Sequence, residues 1–317
     1  MNELLQVTGL HKEFKTNGGV LTAVNDVAFT IARGEILALV GESGSGKTTA
    51  GRLILRLLDA TAGKVKFDGH DLMAMPAREL KRFRKRLQPI FQDPFASLNP
   101  YMRIGTALEE AALTHFPKLT RLEREERVRE TLTLVGLSPT CGHRYPHEFS
   151  GGQRQRIGIA RALMVEPELI VADEAVSALD VSIQAQIINL IELLREKLGL
   201  TLLFVAHDLA VVRHIADRVA VMYLGRIVEI GPTEQLFSRP AHPYTQALLS
   251  ASPIPEPGRG AQRIMLSGEI PSPLNPPSGC AFRTRCRHAV KSCAEIAPVL
   301  SSYGESHQVA CIRTAEL

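Results

Sequence analysis

A glycine-rich segment near residue 45 has the residue types and the spacing that are needed to hold phosphate groups. Its members are Gly41, Glu42, Ser43, Gly44, Ser45, Gly46, Lys47, Thr48 and the adjoining Thr49. Glycines let backbone N–H groups turn inward and donate to phosphate oxygens at the start of a helix. Lys47 would neutralise the β- and γ-phosphates of a nucleoside triphosphate, and the Thr48 hydroxyl would ligate Mg²⁺. An apolar run before the loop and a helical pattern after it make a chance glycine-rich turn the weaker interpretation.

An acidic pair, Asp173-Glu174, closes a second apolar run at residues 168–172. At the carboxyl end of a parallel strand, such a pair points into the crevice where α/β proteins bind ligands. Asp173 would hold the metal directly or through water, and Glu174 would polarise an attacking water as general base. A solvated acidic turn is the alternative, and the phosphate-loop pattern in the same chain favours the catalytic interpretation.

A short run of small and polar residues lies before the acidic pair. It comprises Ser150, Gly151, Gly152 and Gln153, and a helical pattern follows it. Exposed amides at the start of a helix, reinforced by the helix dipole, form a site for an anion. A surface turn could have the same composition, but the position of this run twenty residues before Asp173 favours a phosphate contact.

The elements that must position these residues are predicted as an α/β core. Buried strands are expected at residues 35–40, 168–172 and 201–206, with a helix at about 181–197 between the last two. A strand, a helix and a strand with short connections imply parallel pairing. Short alternating runs before residue 35 predict an N-terminal β region.

Two further regions differ from this core in composition. Residues from about 93 to 163 are rich in charge and in helical pattern, with Glu123/Arg127 and Glu125/Arg129 as expected pairs four residues apart, and predict an inserted helical subdomain. A proline-rich linker at Ser252–Gly258 separates a first domain, residues 1–250, from a C-terminal region, residues 251–317.

The bulk composition restricts the classes of protein to consider. Apolar residues make up 45% and charged residues 22% of the chain, which is ordinary for a globular protein. Apolar runs stay shorter than the 18 or so residues of a membrane span, and the N-terminus lacks the features of a signal peptide. We therefore expect a cytosolic protein whose membrane contacts go through partners. The net charge of +4 is too small to indicate a nucleic-acid partner.

The run at residues 149–163, read together with the phosphate loop and the acidic pair, resembles the signature motif of ABC transporter ATPases. The resemblance implies a P-loop NTPase fold of class α/β, with an N-terminal antiparallel β region, an inserted helical subdomain and a short C-terminal tail. It also implies roles for four more residues. Gln92 is similar to the Q-loop glutamine that contacts Mg²⁺ and water, and His207 to the switch histidine at the γ-phosphate. Asp180 matches the D-loop, and Phe14 matches the aromatic residue that stacks on adenine, although a core phenylalanine is the alternative there.

Three segments narrow the resemblance to the ATPase subunits of oligopeptide/dipeptide importers, of the second-ATPase type. They are residues 92–100, 242–249 and 268–273. Membership implies ATP and Mg²⁺ as ligands and a peripheral place on the cytoplasmic face of the cell membrane. It implies as partners a second ABC ATPase packed head to tail, two permeases and, indirectly, an external solute-binding protein. Ala175 stands where this group usually has proline. A nickel or other small-solute importer and, further away, a soluble non-transport ABC ATPase are the alternatives.

The C-terminal tail contains four of the five cysteines. Cys280, Cys286, Cys293 and Cys311 are separated by five, six and seventeen residues, without the short Cys-x₂₋₄-Cys pairs typical of zinc sites. Clustered thiols in a reducing compartment suggest a metal or cluster site before disulfides. The resemblance implies a [4Fe–4S] cluster, and zinc or four reduced, packed thiols are the alternatives.

Overall fold

The computed structural model describes residues 3–93, 98–177, 179–251, 264–266, 268–314 and 316. The predicted linker at Ser252–Gly258 lies outside these ranges, as do residues 94–97 of the segment that follows Gln92. The predicted domain boundary near residue 250 therefore stays a prediction.

Twelve strands are assigned within the described ranges. They are β1 (Glu3–Thr16), β2 (Gly19–Ala32), β3 (Ile36–Val40), β4 (Ala62–Phe67), β5 (His70–Asp71), β6 (Leu87–Ile90), β7 (Leu169–Asp173), β8 (Thr201–Ala206), β9 (Arg218–Tyr223), β10 (Arg226–Pro232), β11 (Ser301–Gly304) and β12 (His307–Val309).

Ten α-helices are assigned within the same ranges. They are α1 (Lys47–Ile54), α2 (Ala77–Phe83), α3 (Ile104–His115), α4 (Arg121–Leu134), α5 (Gly151–Leu163), α6 (Val181–Leu198), α7 (Leu209–Ile215), α8 (Thr233–Ser238), α9 (Pro243–Ala251) and α10 (Ser292–Glu295). Two short 3₁₀ helices, Pro139–His143 and Pro146–Glu148, lie between α4 and α5.

The chain forms two compact units. The first comprises Met1–Met73 with Val205–Leu317, and the second is the continuous stretch Ala74–Phe204. The strand β8 carries the chain from the second unit back into the first.

The first unit contains an antiparallel sheet of four strands in the order β2-β1-β4-β5. Alternate residues of β1, such as Leu5 and Val7, are buried while their neighbours face outward, which is the two-residue period of a half-buried strand. This sheet is the N-terminal antiparallel β region that the sequence predicts.

A second group of strands in the first unit has the order β11-β12-β10-β9-β3. β3 runs parallel to β9, with Leu37 opposite Arg218 and Val40 opposite Val221. All five residues of β3 are fully buried, as expected for a strand covered on both faces. The strand predicted at residues 35–40 is thus present and ends where the phosphate loop begins.

The second unit contains β6 and β7, which pair in parallel, together with the helices from α2 to α6. Helices α3, α4 and α5 lie in the stretch 93–163 for which a helical subdomain is predicted, and α4 ends at Leu134, just before Gly136. The bounds of that subdomain stay a prediction. The predicted ion pairs on α4 are wrong. Arg127 instead binds Glu166 at 2.8 Å, because the residues that follow α5 offer it a carboxylate that a local pattern does not reveal. Arg129 pairs with Glu126 on the same helix at 3.4 Å, and Glu125 pairs with Arg121 at 2.8 Å.

None of the helices in the described ranges combines the length and the apolar character that crossing a bilayer requires.

Candidate active site

The phosphate loop connects the buried strand β3 to the helix α1 in the first unit. Two of its glycines are required by close backbone approaches. A Cβ on Gly41 would lie 2.1 Å from the Met222 carbonyl oxygen, and one on Gly46 would lie 2.2 Å from the Ala23 carbonyl oxygen. Gly46 also has a φ of 101° and caps the N-terminus of α1, a conformation that residues with a side chain rarely adopt. The backbone of neighbouring strands therefore leaves no room for a side chain at either glycine, and this keeps the loop in its tight turn.

Lys47 lies inside this loop with only 4% of its surface exposed. Its ammonium group donates to the carbonyl oxygens of Gly41 at 2.9 Å and Glu42 at 3.0 Å, and contacts Ser45 Oγ at 3.4 Å. These contacts hold the positive charge over the loop, where a phosphate would meet it.

Two other predicted residues also belong to the first unit. His207 is exposed directly after β8, and the neighbouring Asp208 caps α7 by accepting from the Ala210 N–H at 2.9 Å. Phe14, on β1, is half-buried with the Lys12 ammonium 5.0 Å from its ring centre. This exposure does not match a core phenylalanine, and the adenine-stacking role of Phe14 stays a prediction.

The acidic pair and Gln92 come together in the second unit. Gln92 Nε2 donates to Glu174 Oε2 at 2.9 Å and approaches Ser177 Oγ at 3.5 Å. Asp173 ends β7, and Glu174 follows in the left-handed region with a φ of 46°. Backbone strain of this kind is concentrated at functional sites, where the surroundings hold a side chain in one direction. Ala175, the departure from the family pattern, is buried immediately after this strained position.

The signature run forms the N-terminus of α5. Ser150 caps the helix and forms a capping box with Gln153, each side chain bonding to the other residue's N–H. A Cβ on Gly152 would lie 2.4 Å from Ile183 Cγ2, so that glycine lets α5 approach the start of α6. Ser150 and Gly151 are exposed and thus accessible to a ligand or a partner.

Asp180 caps the N-terminus of α6. Its carboxylate accepts from Ser182 Oγ at 2.7 Å and from the Ile183 N–H at 3.0 Å, and these hydrogen bonds lower the pKa of the carboxyl group. The contact with ATP implied for Asp180 by the resemblance stays a prediction beside this capping role.

The four tail cysteines line one small cavity of about 20 Å³ in the first unit, together with His242 and Phe282. No disulfide joins any of the five cysteines, all of which lie in the described ranges. Burial raises the pKa of the Cys280 thiol to about 11 and also raises the pKa values of Cys286 and Cys311. Across the described ranges, no three histidine, cysteine or carboxylate side chains are grouped closely enough to hold a metal ion. The thiols thus line one cavity, but without the spacing of a formed metal site.

Two residues that the sequence analysis missed contact Glu42 in the phosphate loop. Tyr244 Oη accepts a hydrogen bond from the Glu42 N–H at 2.9 Å, and the Arg285 guanidinium forms two hydrogen bonds with the Glu42 carboxylate. Both residues lie more than 200 positions after Glu42, and no spacing pattern connects them.

Comparisons with known proteins agree with this geometry. Residues 24–177 match the ABC transporter family, and residues 228–293 match the C-terminal region of oligopeptide/dipeptide transporters. A putative peptide import ATP-binding protein of Brucella ovis is 58% identical, with 98% of each chain covered. The oligopeptide transport ATP-binding protein OppF of Salmonella typhimurium is 51% identical, covering 99% of this chain and 97% of the relative.

Solved structures share the fold. A dimeric bacterial ABC transporter cassette is 28% identical with a TM-score of 0.66, over 72% of this chain and 98% of that one. CbiO1 of Clostridium perfringens, part of an ABC transporter complex, is 26% identical with a TM-score of 0.67, over 75% and 92% of the two chains. The phosphate loop, the acidic pair, the signature helix and the near full-length identity lead to one conclusion: this chain belongs to the ABC transporter ATP-binding proteins, in the oligopeptide/dipeptide branch.

Proposed function

We propose that this chain is the ATP-hydrolysing subunit of a membrane importer for di- or oligopeptides. The observation that carries the proposal is the extent of the family match, which includes the tail as well as the ATPase motifs. Relatives that match over nearly their full length are named for peptide import, whereas an isolated ATPase motif would be compatible with any ABC protein.

The residues divide the work of hydrolysis between them. The loop amides and Lys47 bind the β- and γ-phosphates, and His207 contacts the γ-phosphate. Glu174 accepts a proton from the attacking water as the new P–O bond forms and the bond between the β- and γ-phosphates breaks, so that ADP and phosphate leave. The hydrogen bond from Gln92 aims the Glu174 carboxylate.

Magnesium fits the chemistry of the donors proposed for it. Thr48, Gln92 and Asp173 offer a hydroxyl, an amide and a carboxylate oxygen, which are the hard ligands that Mg²⁺ prefers. When bound, the ion supplies charge neutralisation at the β- and γ-phosphates.

The partners proposed for this motor are a second ABC ATPase and two permeases, with an external binding protein that selects the peptide. Ser150, Gly151, Gly152 and Gln153 would close over the phosphate loop of the second ATPase, and Phe14 and Asp180 would complete the nucleotide contacts. Exposure of Ser150 and Gly151 at the N-terminus of α5 supports this role. The chain would then be a peripheral protein on the cytoplasmic face of the membrane.

The tail is proposed to hold a [4Fe–4S] cluster through its four cysteines. Their convergence on one cavity supports the proposal, and thiolates are the ligands that such clusters require. Because burial raises the pKa values of the Cys280, Cys286 and Cys311 thiols, loading would have to remove the protons of these three groups. Anaerobic purification followed by iron and sulfide analysis tests this, and stoichiometric zinc, or no metal, would exclude the cluster.

Glu174→Gln tests the catalytic assignment directly. The amide keeps the size of the side chain but removes the base, so hydrolysis in the assembled transporter should fall by about 10²–10⁴-fold. ATP binding should persist, and the ATP-bound pair of ATPase subunits should stay closed. Glu166→Gln, a carboxylate on the same unit that pairs with Arg127, is the matched control and should hydrolyse ATP normally. Near-normal hydrolysis by Glu174→Gln would refute the assignment.

A further inference from the structure

The C-terminal tail contacts the phosphate loop through one buried arginine. Arg285 Nη1 lies 2.6 Å from Glu42 Oε2, and Arg285 Nη2 lies 3.0 Å from Glu42 Oε1. The Arg285 side chain is 7% exposed and the Glu42 side chain 26%. Two parallel hydrogen bonds between a guanidinium and a carboxylate fix both the distance and the plane of the pair.

A second contact holds the backbone of the same residue. The Glu42 N–H donates to Tyr244 Oη, and Tyr244 is fully buried. Its ring packs against Tyr223 at 4.7 Å and Phe282 at 5.4 Å, measured between ring centres. Glu42 is therefore held at its amide by α9 and at its carboxylate by the tail.

The charge of this pair affects the binding of a triphosphate as well as the stability of the loop. Glu42 is the second residue of a loop built to receive the negative charges of a triphosphate, and an unpaired carboxylate there would repel that ligand. The guanidinium of Arg285 cancels the charge. The hydrogen bonds to Glu42 also raise the pKa of Arg285, which therefore keeps its proton.

Arg285 lies on the same backbone segment as two of the tail cysteines, Cys280 and Cys286. Arg285 directly precedes Cys286, and its N–H donates to the Phe282 carbonyl oxygen at 3.0 Å. Cys280, at the start of the same turn, donates its N–H to the Cys293 carbonyl oxygen at 2.8 Å. The backbone segment that carries these cysteines therefore also fixes the position of the Arg285 guanidinium.

We propose that Arg285 is a positioning residue for ATP binding, through which the four-cysteine tail neutralises and orients Glu42 in the phosphate loop. Disturbing the tail then weakens the binding of ATP through its effect on Glu42. The inference rests on the proposed role of the loop in binding the ATP phosphates.

The test compares the affinity for ATP of four forms of the full chain, measured by titration in the presence of Mg²⁺. Arg285→Met should raise the Kd for ATP about tenfold, because it leaves the Glu42 carboxylate unpaired. The double variant Arg285→Met/Glu42→Gln should recover to within about threefold of wild type, because the repelling charge is gone. Arg287→Met removes the same charge from an exposed position in the same tail and should bind ATP like wild type.

Other outcomes are distinguishable. If wild type itself fails to bind ATP, the proposed function fails before this inference is reached. If Arg285→Met binds like wild type, or if the double variant binds as weakly as Arg285→Met, charge neutralisation by Arg285 is wrong and the contact is only structural. Should Arg285→Met fail to fold, Arg285→Lys keeps the charge but loses the paired geometry, and its Kd should rise about threefold. An unchanged Kd for Arg285→Lys would then overturn the orienting part of the proposal.

Discussion

The phosphate loop and the cysteine tail lie in the same compact unit but are built in opposite ways. The loop is a local structure in which eight consecutive residues supply the turn, the amides, the lysine and the hydroxyl. In the tail, the cavity is lined by cysteines that are spread over residues 280–311, on a segment with little regular secondary structure. Chemistry encoded by consecutive residues can be recognised from sequence, whereas chemistry that depends on converging segments needs coordinates.

The two regions are also in direct contact, because Arg285 of the tail binds Glu42 of the loop. The Arg285–Glu42 pair makes the tail a support of the loop as well as an appendage. A rigid local motif therefore depends on a distant segment for the charge balance of its second residue.

The largest effect is expected from a change in the loop itself. Gly46→Ala would place a methyl group 2.2 Å from the Ala23 carbonyl oxygen and 2.9 Å from Met222 Cε, in a left-handed conformation. We expect ATP binding to weaken by at least about 100-fold, because the loop must open to relieve this contact.

Gly34→Ala is the matched control for this substitution. Gly34 has a positive φ of 75°, but nothing lies within 4 Å of an added Cβ. It should cost about 1–2 kcal/mol of the free energy of unfolding, without a change in the affinity for ATP. Equal losses of affinity in the two variants, measured by nucleotide titration, would show that the loop lacks the steric constraint described.

A smaller effect is expected from a change in the tail. Cys286→Ser removes one thiol from the cavity next to Arg285 and should raise the KM for ATP a few-fold, with little change in kcat, because the loop is disturbed only indirectly. It should also lower the melting temperature by a few degrees, the shift expected from about 1 kcal/mol in a chain of this size.

Cys141→Ser is the control, because Cys141 lies in the second unit and outside the tail. If both serine variants had the same KM for ATP as wild type, the tail would not influence the loop, and the proposed link between the two regions would be wrong.

Sequence reasoning succeeded where the chemistry follows from neighbours along the chain. The buried strand before the loop, the acidic pair at the end of β7 and the helix after Ser150 were all predictable, because period, burial and capping are local properties. The Gln92–Glu174 hydrogen bond joins residues 82 positions apart, and only the family resemblance suggested that Gln92 takes part in the site.

Two of the failures have a common physical cause. The Glu123/Arg127 pair predicted on α4 ignored Glu166, which lies beyond the end of α5 and binds Arg127 instead. The partner of Glu42 is 243 residues away, and nothing in the types of the intervening residues indicates it. Packing between segments decides which charge an arginine meets, and a helical period predicts only the neighbours on its own helix.

Peptide-dependent ATP hydrolysis is the most direct measurement of the central claim, that this ATPase powers a peptide importer. The chain would be reconstituted in proteoliposomes with the proposed partners, a second ATPase, two permeases and a binding protein, and phosphate release would be followed with and without di- and oligopeptides. The account predicts low activity for the purified chain and a sharp rise in the complete assembly when peptide is present. Hydrolysis that responds to Ni²⁺ and not to peptides, or full activity in a strictly monomeric preparation, would contradict it.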